Sequence, residues 1–113
     1  MAPGDPLTRA AERLISQHID SVGALDLLLV LHEGRERDWS GEELCRTLRC
    51  PGPWAEDQLS RLLAIGLLAE SDDGRYQYRR GLQYGPAVDQ IARACRHDRA
   101  GVTRLIFARS GRV

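Results

Sequence analysis

A leucine-rich helical pattern that leads directly into a hairpin signal constrains the fold of this chain more than any other feature. The stretch is QLSRLLAIGLLAESDDGRYQYRR, residues 58–80. Its leucines recur at helical spacing up to Gly66, which suits a helix end because glycine adopts left-handed conformations without strain. Asp73 and Gly74 form a two-residue hairpin signal, and two tyrosines then alternate along a return strand, facing the core. These residues predict a helix followed at once by a β-hairpin.

Two helices are predicted in the N-terminal third of the chain. Asp5 can cap the first of them, and Pro6 suits its first helical position. The second helix begins at Asp20 or Ser21 and ends before Gly34, a residue suited to a left-handed helix end. Its segment ALDLLLVL is apolar nearly all round, which indicates a central, mostly buried helix.

The connection between the second helix and the leucine-rich stretch predicts a short strand and a further helix. Trp39 suits a brief strand, and Ser40 with Glu43 has the spacing of a capping box that opens a helix. The segment CPGP then ends that helix, because proline cannot continue it. Pro53 suits an early position of the helix that follows.

The last predicted helix starts near Pro86 and carries an apolar stripe with near-heptad spacing. The stripe consists of Val88, Ile91, Ala92, Cys95, Val102, Leu105 and Ile106. Such a stripe either packs on its own domain or forms a seam between two copies of the chain. The second alternative predicts a homodimer through the terminal helices.

Several classes of protein are disfavoured by what the sequence lacks. It has no C-x-x-C or H-x-x-x-H pair, no phosphate-cradling glycine loop and no nucleophile elbow. We therefore expect no metal site, no cofactor and no enzymatic activity. The longest apolar run, residues 24–31, is broken by Asp26, so we expect no membrane insertion. Three cysteines and an N-terminus without the order of a secretory signal predict a cytoplasmic protein with free thiols.

The order helix, short strand, helix, tight turn, helix and hairpin resembles the winged helix-turn-helix family, as found in small bacterial-type transcription regulators. The similarity covers about residues 21–80 and is strongest in LSRLLAIGLLAESDDGRYQYR and EELCRTL. It implies one α+β, mostly helical domain over residues 1–113. Helices at about residues 6–19 and 86–108 would then flank the winged-helix core.

The resemblance also implies a surface that binds duplex DNA. A recognition helix at residues 53–65 would enter the major groove, and a wing at residues 67–79 would contact phosphates. The residues implied in DNA binding are Gln58, Ser60 and Arg61 in the groove and Arg75 and Arg79 on the phosphates.

Charge and one aromatic residue favour a different partner for the same surface. Glu56 and Asp57 face outward beside the groove readers and would repel phosphates, although first-turn acids also stabilise a helix through its dipole. Sixteen basic and sixteen acidic residues give a net charge of zero, whereas nucleic-acid binders are usually basic. Trp54 either packs on the preceding turn or anchors a partner. The alternative function is therefore a protein-interaction module that uses Trp54, Glu56 and Asp57.

Overall fold

The computed structural model describes residues 7–81 and 83–110 as a mostly helical α+β fold, in agreement with the predicted class. Its elements in chain order are α1 (Arg9–His18), α2 (Val22–Glu33), α3 (Gly41–Leu48), α4 (Gly52–Ala64), β1 (Leu68–Glu70), β2 (Tyr76–Tyr78) and α5 (Gly85–Ser110). The order of these elements is the one that the sequence predicts.

The first two helices are opened by hydroxyl caps. Thr8 caps α1 and accepts a hydrogen bond from the Ala11 backbone N–H, whereas the predicted cap at residues 5–6 lies outside the described residues. Ser21 caps α2, which begins one residue after the later of the two predicted starts. The prediction for Gly34 is wrong in one respect, because its φ of −95° is not left-handed. The position needs a residue without a side chain, since an added Cβ would lie 2.7 Å from the Trp39 ring.

The boundaries of α3 and α4 agree with their sequence signals. Ser40 and Glu43 form the complete capping box at the start of α3. Arg49 closes that helix with a φ of 56°, in the left-handed region. Pro53 lies in the first turn of α4, and Gly66 follows its end with a φ of +83°. The predicted left-handed glycine at the end of the leucine-rich helix is therefore confirmed.

The hairpin pairs β1 with β2 in antiparallel register, with Leu68 opposite Tyr78. Its turn differs from the predicted two-residue type. The Gly74 N–H donates to the Ser71 carbonyl at 3.0 Å, and Gly74 has a φ of +80°, whereas Asp73 keeps a negative φ. A two-residue type I′ turn needs positive φ at both central residues. The chain instead makes a four-residue turn, Ser71–Gly74, whose last residue is the left-handed glycine.

Where the sequence predicts a brief strand, Trp39 forms a single isolated bridge to this hairpin. Its backbone N–H donates to the Tyr76 carbonyl, and the Tyr76 N–H donates back, both at 2.7 Å. Tyr78 is buried and Tyr76 is half-buried against the core, so both tyrosines face inward. The bridge therefore joins the segment before α3 to the hairpin after α4.

The apolar stripe of α5 lies inside the chain rather than on its surface. Val88, Ile91, Val102 and Ile106 are buried in one core with residues of α1 and α2. The predicted continuous helix is interrupted at Asp98, whose φ of −155° and ψ of 71° are not helical. Asp98 Oδ1 accepts a hydrogen bond from the Gly101 N–H at 3.0 Å, which caps the second half of α5.

No single helix within residues 7–81 and 83–110 is long and apolar enough to cross a membrane. Taken together, α1 and α2 meet the same test of length and composition, but they are bent by 120° at their junction.

Candidate binding surface

One side of α4 packs on the core and the other meets solvent, so the helix presents a polar strip beside the hairpin. Ala55, Leu59 and Leu62 are buried. The exposed residues of α4 include Glu56, Asp57, Ser60 and Arg61, all of them predicted site residues. We call these four residues, together with Glu70, Asp72 and Asp73 of the hairpin, the α4–hairpin surface.

Gln58 does not belong to this surface, which corrects its predicted outward orientation. Only 5% of the residue is exposed. Gln58 lies three residues after Ala55 and four before Leu62, so helical geometry places it on the same buried side. Its amide is turned into the protein and cannot reach base edges in a groove.

Arg61 is exposed but is shared between two carboxylates. Its Nε lies 3.1 Å from Asp57 Oδ2 on the same helix, and its Nη1 lies 3.3 Å from Asp20 Oδ2 at the start of α2. Exposed ion pairs of this kind are weak. They nevertheless surround the one α4 arginine with negative charge, which lowers its attraction for a phosphate.

Arg75 points away from the hairpin tip and ties the hairpin to the start of α3. Its Nε lies 2.9 Å from Asp38 Oδ1, and its Nη2 lies 2.9 Å from Glu43 Oε1. The hydrogen bond to Asp38, opposed by desolvation but aided by the charge of Glu43, raises the pKa of Arg75. The predicted phosphate contact is thus engaged in an internal network, in which Arg37 also pairs with Glu43 at 3.1 Å.

The junction between α4 and the hairpin is acidic. Burial raises the pKa of Tyr76, and the nearby carboxylates of Glu70 and Glu56 raise it further. The hairpin tip adds Asp72 and Asp73, both exposed. Arg79, exposed just after β2, is the one predicted phosphate-contacting residue that forms no ion pair with a carboxylate in residues 7–81 and 83–110. The α4–hairpin surface therefore carries net negative charge.

Trp54 packs on α2 rather than only on the preceding turn. A Cβ added to Gly23 would lie 3.3 Å from the Trp54 ring, so the indole rests directly on that glycine. The ring remains half-buried and lines an open cavity of about 380 Å³. Leu48 and Pro51 supply further apolar wall, and Asp26 lies at its edge. The contact with Gly23 was not predicted, because it joins residues on different helices.

A polar cluster on the other side of the hairpin was also missed by sequence reasoning. His32 is buried at the end of α2, and its Nε2 lies 3.1 Å from Asp89 Oδ1 on α5. The Arg80 Nε donates to the second oxygen of Asp89 at 2.9 Å. Burial opposes ionisation of Asp89, but the hydrogen bonds from His32 and Arg80 outweigh it and hold its pKa below the ordinary value. Tyr78 packs edge-on against His32, with ring centroids 5.4 Å apart.

The chemistry of the described residues includes no site for a metal ion, since no three histidine, cysteine or acidic residues in residues 7–81 and 83–110 are grouped to hold one. All three cysteines are half-buried free thiols. No protein-family model matches the chain, and neither curated proteins nor solved structures show a significant match to it.

Proposed function

We propose that this chain is a winged-helix module that binds a protein partner through the α4–hairpin surface. The winged-helix assignment is supported by the succession of α2, the Trp39 bridge, α3, α4 and the hairpin. The bridge is the most informative part of this support, because it pairs the segment between α2 and α3 with the return strand of the hairpin. A helical bundle with an unrelated hairpin would not need that pairing.

The observation that carries the choice of partner is that carboxylates engage two of the three predicted DNA-contacting arginines. Arg75 is held by Asp38 and Glu43, and Arg61 lies between Asp20 and Asp57. Binding to duplex DNA draws its affinity mainly from cations that neutralise phosphates and release counterions. A surface on which Arg61 and Arg75 are already paired, with additional exposed acids beside them, is poorly suited to that task.

The partner that fits this surface presents basic side chains. Glu56, Asp57, Glu70, Asp72 and Asp73 offer carboxylates to lysine or arginine, and complementary charge of this kind speeds association and selects among partners. The half-buried Trp54 lies at the start of the same helix and provides an apolar anchor next to its cavity. Basic contacts along α4 with one apolar contact at Trp54 describe the proposed interface.

The apolar stripe of α5 was the reason to expect a homodimer through the terminal helices, and the position of that stripe in the fold weakens this expectation. The stripe residues Val88, Ile91, Val102 and Ile106 are already buried in the core of one chain. On α5, Phe107 is 61% exposed, but a single exposed hydrophobic residue is common on monomeric proteins. We therefore propose a single chain as the binding unit.

Fluorescence anisotropy with two labelled probes tests the proposal. The probes are an oligoarginine peptide and a short random-sequence DNA duplex, each titrated at low and at moderate salt. We expect the protein to bind the peptide and not the duplex. The double substitution Glu56→Lys with Asp57→Lys should weaken peptide binding by roughly tenfold, because each lost surface ion pair contributes up to about 1 kcal/mol. The same variant should begin to bind the duplex.

A matched control reverses two exposed acids away from α4, Glu33→Lys with Glu36→Lys. This variant has the same net charge as the α4 variant and should keep most of the affinity for the peptide. Binding of the unmodified protein to the duplex, with affinity that falls steeply as salt rises, would instead support the DNA alternative. Equal loss of peptide binding in both double variants would show attraction by net charge alone and reject the α4–hairpin surface as the site.

A further inference from the structure

Two buried polar side chains beside α5 have unused hydrogen-bonding atoms. Within residues 7–81 and 83–110, no group hydrogen-bonds to Tyr78 Oη or to His32 Nδ1. Both residues are only 6% exposed. Buried polar groups in folded proteins are nearly always paired, so an unpaired hydroxyl in this position needs an explanation. A bound group that accepts its hydrogen bond would provide one.

Tyr78 lines an open cavity where the end of α2, the end of β2 and the start of α5 meet. The cavity has a volume of about 330 Å³, and its other walls are Arg35, Arg80 and Asp89. This volume is at the small end of the range for small-molecule sites. The cavity shares no lining residue with the α4–hairpin surface, so an occupant here is independent of the proposed function.

Donors predominate among the hydrogen-bonding groups that remain free in this cavity. Both oxygens of Asp89 are taken, one by His32 and the other by Arg80. Arg35 uses its Nη1 to donate to the His32 carbonyl at 2.9 Å, and each guanidinium keeps further N–H groups. Burial, with the charge of Asp89, raises the pKa of Tyr78 to about 12, so its hydroxyl is neutral and able to donate at physiological pH. Two arginines beside one carboxylate leave the lining with net positive charge, so an occupant with acceptor oxygens and negative charge suits it best.

We propose that this cavity binds a small oxyanion, a carboxylate or phosphate group, held by Arg35 and Arg80 and hydrogen-bonded to Tyr78 Oη. Paired N–H groups of arginine match the geometry of both kinds of oxyanion. The Tyr78 hydroxyl is covered in the structure. Arg35 and Arg80 are exposed, so the oxyanion site requires a change of rotamer in one of them to uncover that hydroxyl.

An NMR titration of the isotope-labelled protein tests this site with acetate, inorganic phosphate and chloride at equal ionic strength. Acetate or phosphate should shift the backbone amide resonances of Tyr78, Arg80 and Asp89 along a saturating curve, whereas chloride should not. Tighter binding of acetate would identify a carboxylate site, and tighter binding of phosphate a phosphate site. An absence of saturable shifts with both oxyanions would overturn the proposal.

Three substitutions tie the response to the cavity. Tyr78→Phe and Arg35→Gln should each weaken binding by about tenfold or more, because each removes a hydrogen bond to a charged group. Arg79→Gln, which removes an exposed arginine that does not line the cavity, should leave binding unchanged. Unchanged affinity in either of the first two variants would reject the site as described.

A measurement of stability in chloride gives a second readout for Tyr78→Phe. Because the hydroxyl has no hydrogen bond to lose, the variant should unfold at the same urea concentration as the unmodified protein, or at a higher one. A marked fall in the midpoint would mean that the hydroxyl is already paired within the protein, and would remove the reason to expect an oxyanion there.

Discussion

At the scale of single residues, Gly34 shows how one position can be constrained by a contact rather than by its backbone. It ends α2, and the Trp39 indole lies over it with its Nε1–H donating to the Gly34 carbonyl at 3.4 Å. Arg37 covers the other part of the ring, 3.8 Å from its centroid. Trp39 also carries the backbone bridge to Tyr76, so its position affects the hairpin. The close approach of the Trp39 indole to Gly34 thus helps to position the hairpin.

Gly34→Ala should destabilise the protein by about 1–3 kcal/mol, the usual range for an overpacked site. The reason is steric, because the new Cβ would lie 2.7 Å from the Trp39 ring while the backbone at φ −95° accepts alanine. Gly41→Ala is the control, since Gly41 begins α3 and nothing lies within 4 Å of an added Cβ. That substitution should stabilise the protein by up to about 1 kcal/mol. Urea unfolding measures both, and equal effects of the two substitutions would contradict the steric argument.

At the scale of elements, α5 consists of two helical halves joined at Asp98. The Asp98 side chain caps the second half through the Gly101 N–H, and Arg99 pairs with Asp26 on α2. Val102 and Ile106 of the second half are buried in the core. The break therefore turns the second half of α5 so that its stripe continues to face the protein.

Asp98→Ala should lower the free energy of unfolding by about 1 kcal/mol, the usual effect of losing a helix cap. Asp98→Asn should have a smaller effect, because an asparagine oxygen can accept the same hydrogen bond from Gly101. The comparison is made by urea unfolding monitored by circular dichroism. If both variants were as stable as the unmodified protein, the break would depend on packing alone and not on the cap.

The amino-acid sequence predicts most elements because the signals for helix ends and turns are local. The capping box at Ser40 and Glu43, the cap at Ser21 and the left-handed Gly66 each involve residues at most a few positions apart. The break at Asp98 has a local signal as well, since aspartate is a good cap. It was missed because the apolar stripe continues through it, and stripe spacing alone predicts one helix.

At the scale of the whole molecule, Asp89 connects three parts of the fold. It lies on α5, accepts from His32 on α2 and from Arg80 after β2, and lies close enough to Tyr78 to raise its pKa. These partners lower the pKa of Asp89, so they bind its ionised form more tightly in the folded state than water does in the unfolded state. Asp89 therefore contributes stability that depends on pH.

The stability lost in Asp89→Asn should be greatest at neutral pH and should shrink in acid. Because the folded pKa lies below the unfolded one, the contribution is fully present above the unfolded pKa of about 4 and disappears as the pH falls through the folded pKa. Urea unfolding of both proteins from neutral pH to below about pH 3 measures the difference. Asp72→Asn, in the exposed hairpin turn, is the control. A difference that does not change with pH would contradict the assigned role of Asp89.

The candidate site was less predictable than the elements that build it. Helical spacing placed Glu56, Asp57 and Ser60 on the exposed side of α4 correctly, but the same spacing, taken without the core, put Gln58 there too. The number of helix positions that are buried depends on how much of the helix surface its neighbours cover. Whether residue 58 is buried or exposed therefore depends on what packs against α4. The half-buried state of Trp54 depends in the same way on Gly23, a residue of α2.

The sequence by itself determined the order of helices and strands, their caps and the hairpin, because these rest on interactions between residues a few positions apart. Only the tertiary structure decided which charged side chains form ion pairs within the chain and which do not. Arg75 meets Asp38 and Glu43 across 37 and 32 residues of chain, and Arg61 meets Asp20 across 41. Periodicity and composition carry no information about such distant pairs, since they arise from the folding of the whole chain. These distant contacts engage Arg61 and Arg75, while the exposed carboxylates of Glu56, Glu70, Asp72 and Asp73 make the α4–hairpin surface acidic.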